Sequence, residues 1–304
     1  MAAGATRGEI YGRLIRPEVL ASLSSLELVA RTVVDGALMG LHRSPYFGFS
    51  QEFAEYRPYV EGDDPRFVDW NVYARTDRAY IKRFLGETNS HLMLLLDASA
   101  SMGFASTGVS KFRYAQMLAA CLAYLATHQH DAVGTLVFDE QVRDFRAPSS
   151  RSGQLHAVLH TLDAAVPARR TDLQAPFARF RDHVTRRGLV AVISDFYCDP
   201  EAMLEAVRPL AWQGQDVVLM QLLDPFELRP ELRTATLLED METGETLEVS
   251  PDYLQNEYRA RVQAHIAALR GAAARAGADH LLFDTSAPLD EPLRQYLAFR
   301  RKRR

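Results

Sequence analysis

Apolar residues recur at three- and four-residue steps over 17–40, at Val19, Leu23, Leu26, Ala30 and Val33. That spacing predicts one amphipathic leader helix, with Gly36 and Gly40 available as stops. Periodicity then fades. Over 41–88 aromatic residues crowd in, Tyr46, Phe47, Phe53, Tyr56, Trp70, Tyr73 and Phe84 among them, interleaved with Arg57, Arg66, Asp69, Arg75 and Asp77. Turn signals at Ser44-Pro45 and Gly62-Asp63-Asp64-Pro65 predict an ordered strap of loops and short elements, because so many rings would not stay exposed to water.

From His91 onward, strand-like and helix-like segments alternate, which predicts an α/β fold with a mostly parallel sheet and helices on both faces. Strands are expected at 91–97, 132–138, 142–147, 189–195, 216–223 and 280–284, and helices at 111–129, 152–165, 174–186, 200–213 and 251–276. Phe112, Ala115, Leu118, Ala119, Leu122 and Leu125 give the first of these helices an apolar face able to cover a sheet. Ser250-Pro251 reads as an N-cap followed by the first helical residue, and Gly277 as the stop after the last long helix. Only Asp139-Glu140-Gln141 separates the second and third strands, too little for a crossover helix, so that pair should be an antiparallel hairpin at a sheet edge. A further short hairpin is expected between Leu237 and Val249 around Thr243-Gly244.

The 304 residues amount to roughly two typical domains of ~150. With 47% hydrophobic and 24% charged residues, the chain is no coiled coil, disordered tail or disulfide miniature. Two cysteines, Cys121 and Cys198, suit a reducing compartment, and a cytoplasmic location is the expectation. No run approaches the ~20 apolar residues of a membrane-spanning helix, and MAAGATRGEI lacks the apolar centre of a secretion signal. The net charge of −4 argues against a dedicated nucleic-acid binder. Charge is nevertheless uneven: 239–252 holds six acids and no base, and 294–304 six bases. The basic end is expected to be solvated and disordered.

The chemistry concentrates where the apolar run 92–96 ends in Asp97-Ala98-Ser99-Ala100-Ser101. Open α/β sheets bind ligands at the carboxyl ends of their strands. Spacing of i, i+2 and i+4 lets one carboxylate and two hydroxyls converge as hard oxygen donors, which suits magnesium, with its octahedral shell near ~2.1 Å. Thr171, just before a helix, and Asp195, ending a strand, are plausible further donors. The candidate metal ligands are therefore Asp97, Ser99, Ser101, Thr171 and Asp195, for Mg²⁺ or another divalent cation such as Mn²⁺ or Ca²⁺. With two carboxylates only, such a cation could accept one more from a partner.

Asp97-Ala98-Ser99-Ala100-Ser101, Thr171 and Asp195 resemble the metal-ion-dependent adhesion site of von Willebrand factor type A domains. The preceding segments Ser44-Pro45-Tyr46, Glu55-Tyr56-Arg57-Pro58-Tyr59, Gly62-Asp63-Asp64-Pro65-Arg66, Asp69-Trp70, Tyr73-Ala74-Arg75-Thr76 and Lys82 are similar to the signature of the bacterial family of unknown function DUF58. The resemblance covers 41–101 and, by the order of elements, extends to about residue 285. It implies a von Willebrand A-like fold, a bound divalent cation and a working association with MoxR-type AAA+ ATPases. It also implies a division into a leader (1–40), the strap (41–90), the von Willebrand A-like domain (91–285) and a short helix with a basic tail (286–304). Phe196 stands where adhesion-type domains usually have Gly, which implies a different outer geometry for the ion.

Two functions follow. One is a non-enzymatic adaptor or chaperone-like module that presents an unidentified client to the ATPase. The alternative is a magnesium-dependent phosphohydrolase, disfavoured because no second acid follows Asp97 at Ser99 and no basic residue adjoins the loop. Trp70 and Tyr73 read as packing anchors, Cys198 as a small loop residue, and His128 and His130 carry no assigned chemistry. No Gly-rich phosphate loop is present, so ATP hydrolysis would have to come from the partner.

Overall fold

The computed structural model describes residues 15–23, 25–41, 53–60, 68–84, 91–168, 170–183, 186–231 and 234–303. Two compact units emerge, 38–89 and a larger one formed by 1–37 with 90–304, so the described leader residues up to Ala37 group with the sheet body. In the smaller unit, β1 (Phe53–Pro58) pairs antiparallel with β2 (Tyr80–Phe84), and Asp69 accepts the Val72 N–H at the start of helix Trp70–Thr76. Trp70 and Tyr73 are not packing anchors: they are 62% and 42% exposed and meet edge-on, ring centroids 5.9 Å apart. The turns expected at Ser44-Pro45 and Gly62-Asp63-Asp64-Pro65 lie outside the described residues.

The larger unit is built on six strands, β3 (His91–Asp97), β4 (Ala132–Phe138), β5 (Val142–Ser149), β6 (Leu189–Ser194), β7 (Asp216–Leu223) and β10 (Asp279–Asp284). Their order across the sheet is β10-β7-β6-β3-β4-β5, all parallel except β5. Counting those six in chain order gives 3-2-1-4-5-6, the doubly wound arrangement with its third strand reversed, which is the expected von Willebrand A-like fold. β8 (Thr236–Glu239) and β9 (Thr246–Val249) form the separate hairpin anticipated around Thr243-Gly244.

Pleat alternation divides the core. Met93, Leu95, Val190, Val192, Val217 and Leu219 join one apolar cluster with Phe177, Phe180, Val207 and Leu269 from helices Gln174–His183, Pro200–Trp212 and Arg259–Ala276. The intervening Leu94, Leu96, Ala191 and Ile193 are fully buried toward the other face. Helix Lys111–His128 covers that face and is itself covered by helices Pro17–Ala21, Gln154–Ala164 and Asp290–Arg303. Hence it is buried on nearly every side, not on the one stripe that periodicity suggested. Ser110 caps it by accepting the Arg113 N–H at 3.1 Å.

Three further expectations need correction. The leader is two helices, Pro17–Ala21 and Leu26–Leu41, because Ser22 bonds back to the Val19 carbonyl and Ser25 accepts the Glu27 N–H, a stop followed by a start. The second passes through Gly36 and Gly40 without stopping. The last long helix starts at Ser250-Pro251 and ends at Gly277 as expected, but a π-helical segment, Leu254–Tyr258, interrupts it. The basic end continues helix Asp290–Arg303. Phe299 is buried, and Arg300 pairs with Asp131 at 2.8 Å and Gln129 at 2.5 Å, so local charge repulsion is outweighed by packing and a half-buried ion pair.

At Gly134 a β-carbon would lie 2.6 Å from both the Arg146 carbonyl oxygen and Met93 Sδ. We expect Gly134→Ala to cost ~1–3 kcal/mol in denaturant unfolding, since backbone on one side and core on the other leave no room. An unchanged midpoint would contradict this packing.

Candidate metal centre

β3 and β6 lie side by side, so their last residues bring Asp97 and the Ser194-Asp195 pair to one rim of the sheet. Asp97 is fully buried. Its Oδ1 accepts the Ser99 N–H at 2.8 Å and its Oδ2 accepts the Ser194 hydroxyl at 2.6 Å. Ser99 and Ser101 place their Oγ atoms 3.1 Å apart. Ala168 and Asp172 are laced to the same rim, with the Ala168 N–H on the Ala98 carbonyl at 2.8 Å and the Asp172 N–H on the Asp139 carbonyl at 3.4 Å. Asp97, Ser99 and Asp195 are fully buried, whereas Ser101 and Thr171 are half-buried.

Three of the five candidates have partners that spacing did not foresee, the first being Asp97 with Ser194. Lys111 Nζ lies 2.7 Å from Asp195 Oδ2 and 2.6 Å from Glu227 Oε1, its side chain wholly buried. Its ammonium also lies 4.9 Å from the centre of the Tyr197 ring. Thr171 faces the chain's own Glu242: its N–H and Oγ1 donate to the two carboxylate oxygens at 3.2 and 3.1 Å. A basic residue therefore does reach the site, contrary to expectation, through a helix that starts ten residues after the loop. Two carboxylates already engage it, and it presents no free charge to a phosphate.

Backbone geometry explains Phe196. Its φ of 54° lies in the left-handed region that favours glycine. Burial of its ring in the main apolar cluster, the Phe196 N–H on Ser194 Oγ at 2.9 Å, and a 3.0 Å contact between its carbonyl and His265 Nε2 hold it there. The turn that glycine makes cheaply is thus kept with a bulky side chain. Behind it, Gln221 Nε2 donates to the Asp195 carbonyl at 2.9 Å, and His280 Nε2 contacts Gln221 Oε1 at 3.0 Å.

Electrostatics favour a cation here. Burial, and then the nearby Asp195, push the Asp97 carboxyl up from 3.8 to about 7. Burial would pull Lys111 down, but the carboxylates of Asp195 and Glu227 outweigh it and hold the ammonium above its usual value. That single charge is shared by the buried acids Asp195 and Glu227, and Asp97 is close enough to Asp195 to feel its charge. Among the described residues no three His, Cys, Asp or Glu side chains gather as metal ligands, so a cation at this rim would need the hydroxyls of Ser99, Ser101 and Thr171 as well as the carboxylates. The hard oxygen donors and the surplus of buried negative charge fit a divalent cation. Cys198 takes no part: burial, and then Asp195, push its thiol up to about 12, which keeps it protonated.

The family described as "Protein of unknown function DUF58" matches residues 55–270. The chain belongs to the DUF58 family. Uncharacterized proteins of Mycobacterium tuberculosis (strain H37Rv) and Mycobacterium bovis are each 28% identical to it over 299 residues, covering 96% of this chain and 93% of theirs. Among solved structures, an aerotolerance-related membrane protein from Bacteroides fragilis is 17% identical at a TM-score of 0.48, covering 68% of this chain and 97% of that one. BatB from Bacteroides thetaiotaomicron is 18% identical at 0.47 (70% and 99%), and the VWA domain of SpRpn10 is 10% identical at 0.42 (68% and 94%). Strand order, not these distant likenesses, carries the fold of this DUF58 chain. Among the described residues no helix is long and apolar enough to cross a membrane.

The raised Asp97 carboxyl has a signed consequence. The folded protein without metal keeps a proton that the unfolded chain releases near 3.8, so this group's stabilisation is present below that pH and lost as pH rises through about 7. In chelator we expect wild type to lose on the order of a few kcal/mol of unfolding free energy relative to Asp97→Asn between about pH 4 and pH 8. Parallel stability curves for the two proteins would refute it.

Proposed function

We propose that this DUF58 protein is a non-enzymatic interaction module in which Asp97, Ser99, Ser101, Thr171 and Asp195 hold a divalent cation that accepts an acidic side chain of a partner. The observation that carries this reading is that two fully buried carboxylates, Asp97 and Asp195, end neighbouring strands at the rim where the Ser99 and Ser101 hydroxyls meet 3.1 Å apart. When bound, the cation would supply a Lewis-acidic position for one more carboxylate. Magnesium suits the donor set best, with manganese and calcium as the other hard candidates. The residues of the chain do the rest. Ser194 and the Ser99 N–H orient Asp97, while Lys111 holds one oxygen of Asp195 and leaves Oδ1 with only a long, 3.4 Å contact from the Tyr197 N–H.

The family resemblance supplies the partner in this reading: a MoxR-type AAA+ ATPase, to which the protein presents a client as an adaptor in the cytoplasm. The phosphohydrolase alternative is weaker, because Lys111 is enclosed between Asp195 and Glu227 and faces no open phosphate site.

Calorimetric titration with magnesium tests the reading. We expect saturable binding by wild type, weakened at least ~tenfold in Asp97→Ala, as loss of a ligand requires. Recovery of an ATPase partner from a pull-down should fall when EDTA is added. Equal recovery with and without EDTA would refute metal-dependent recognition, and magnesium-dependent phosphatase turnover lost in Asp97→Asn would favour the enzyme.

A further inference from the structure

The Glu242 carboxylate is gripped through both oxygens by the Thr171 N–H and Oγ1, and the Arg170 Nε–H reaches the Glu242 carbonyl at 3.4 Å. Two contacts to one carboxylate from a backbone N–H and its own hydroxyl form a carboxylate site that is already filled from within the chain. The filler comes from the tip of the β8–β9 hairpin, and the tip is preorganised. Asp240 Oδ1 accepts the Glu242 and Thr243 N–H groups at 2.8 and 2.7 Å, and Gly244 turns at a φ of +72°. Met241 lies alongside the loop that follows Ser101: a β-carbon at Gly103 would be 3.5 Å from Met241 Cε.

The rest of the hairpin is weakly held. Its strands are four residues each, and Leu237 and Leu247 are 65% and 59% exposed. A two-stranded ribbon of this kind is marginal by itself, which puts it at the easily opened end of local stability. We infer that Glu242 is an internal acidic ligand of the Thr171 rim, and that a partner's acidic turn binds only by displacing it. This rests on the function proposed above and deepens it. It adds what the partner must resemble, a turn carrying an apolar residue directly before a glutamate, and why the resting protein does not bind every acidic surface. Tethering sets the internal competitor at an effective concentration of mM order, so a free acidic group must exceed that or bring further contacts.

A fluorescent cyclised peptide spanning residues 236–249 is the probe, with wild type, Glu242→Ala and the isosteric Glu242→Gln as receptors, each in magnesium and in EDTA. We expect both variants to bind the peptide at least ~tenfold tighter than wild type in magnesium, and a peptide with Gln at the Glu242 position not to bind. Tighter binding by the variants that persists undiminished in EDTA would keep the internal ligand and reject the metal. Equal binding by all three receptors, or by none, would overturn the internal ligand, while calorimetric magnesium binding by wild type would leave the metal reading standing. Hydrogen exchange adds a readout independent of any ligand: amides of 236–249 should exchange faster in both variants than in wild type, and unchanged protection would count against the latch.

Discussion

Two carboxylates, Asp97 and Asp195, are buried side by side at the end of a sheet whose inner strands are otherwise apolar, and most of the polar architecture at that rim exists to make this tolerable. An unpaired buried charge is expensive, so each must be neutralised, protonated or bonded. Asp97 receives a backbone N–H and a serine hydroxyl. Asp195 receives an ammonium, which is shared with Glu227. Glu227 in turn accepts the Asp224 N–H at 2.7 Å, and Asp224 accepts the Ser106 N–H at 2.9 Å. One charge problem therefore ties together the ends of β6 and β7, the start of helix Lys111–His128 and the loop after Ser101.

Support extends through the sheet to its far edge. The Asp195 carbonyl is held by Gln221 on β7, and Gln221 by His280 on β10. Burial, and then Arg270, pull His280 down to about 4, so it is neutral near pH 7 and brings no charge of its own to the network. A neutral ring there orients an amide, and the amide holds the backbone of a candidate ligand.

What the sequence made legible is local. Uninterrupted apolar runs mark buried parallel strands, a three-residue gap marks an antiparallel hairpin, and Ser-Pro and Gly bracket a helix, because each signal lies within a few residues of its effect. The Asp97, Ser99 and Ser101 spacing is of this kind. The missed partners are not: Ser194 meets Asp97 across 97 positions, Lys111 meets Asp195 across 84 and Glu227 across 116, and Glu242 meets Thr171 across 71. Nothing near a lysine at a helix start says which carboxylate it will face once the sheet is assembled. The tail misled for the same reason. Six bases in eleven residues imply repulsion locally, while Asp131 and the pocket for Phe299 are supplied from far along the chain.

Phe196 shows how a local rule is broken at the site and compensated elsewhere. A non-glycine residue in the left-handed region costs of order 1–3 kcal/mol and persists only where its surroundings over-determine it. Here the ring is 1% exposed and shares its apolar cluster with Leu173, two residues after Thr171. Burying a phenylalanine contributes about 1.5–3 kcal/mol, enough to offset the backbone term. Glycine would relieve the strain and keep the backbone contacts to Ser194 and His265, but it would lose the buried ring that ties the turn after Asp195 to the core. With phenylalanine, the loops bearing Asp195 and Thr171 are each tied to one core by a buried side chain beside the candidate ligand. The rim can then hold its donors in place from below, while the hairpin tip above it remains the part free to leave.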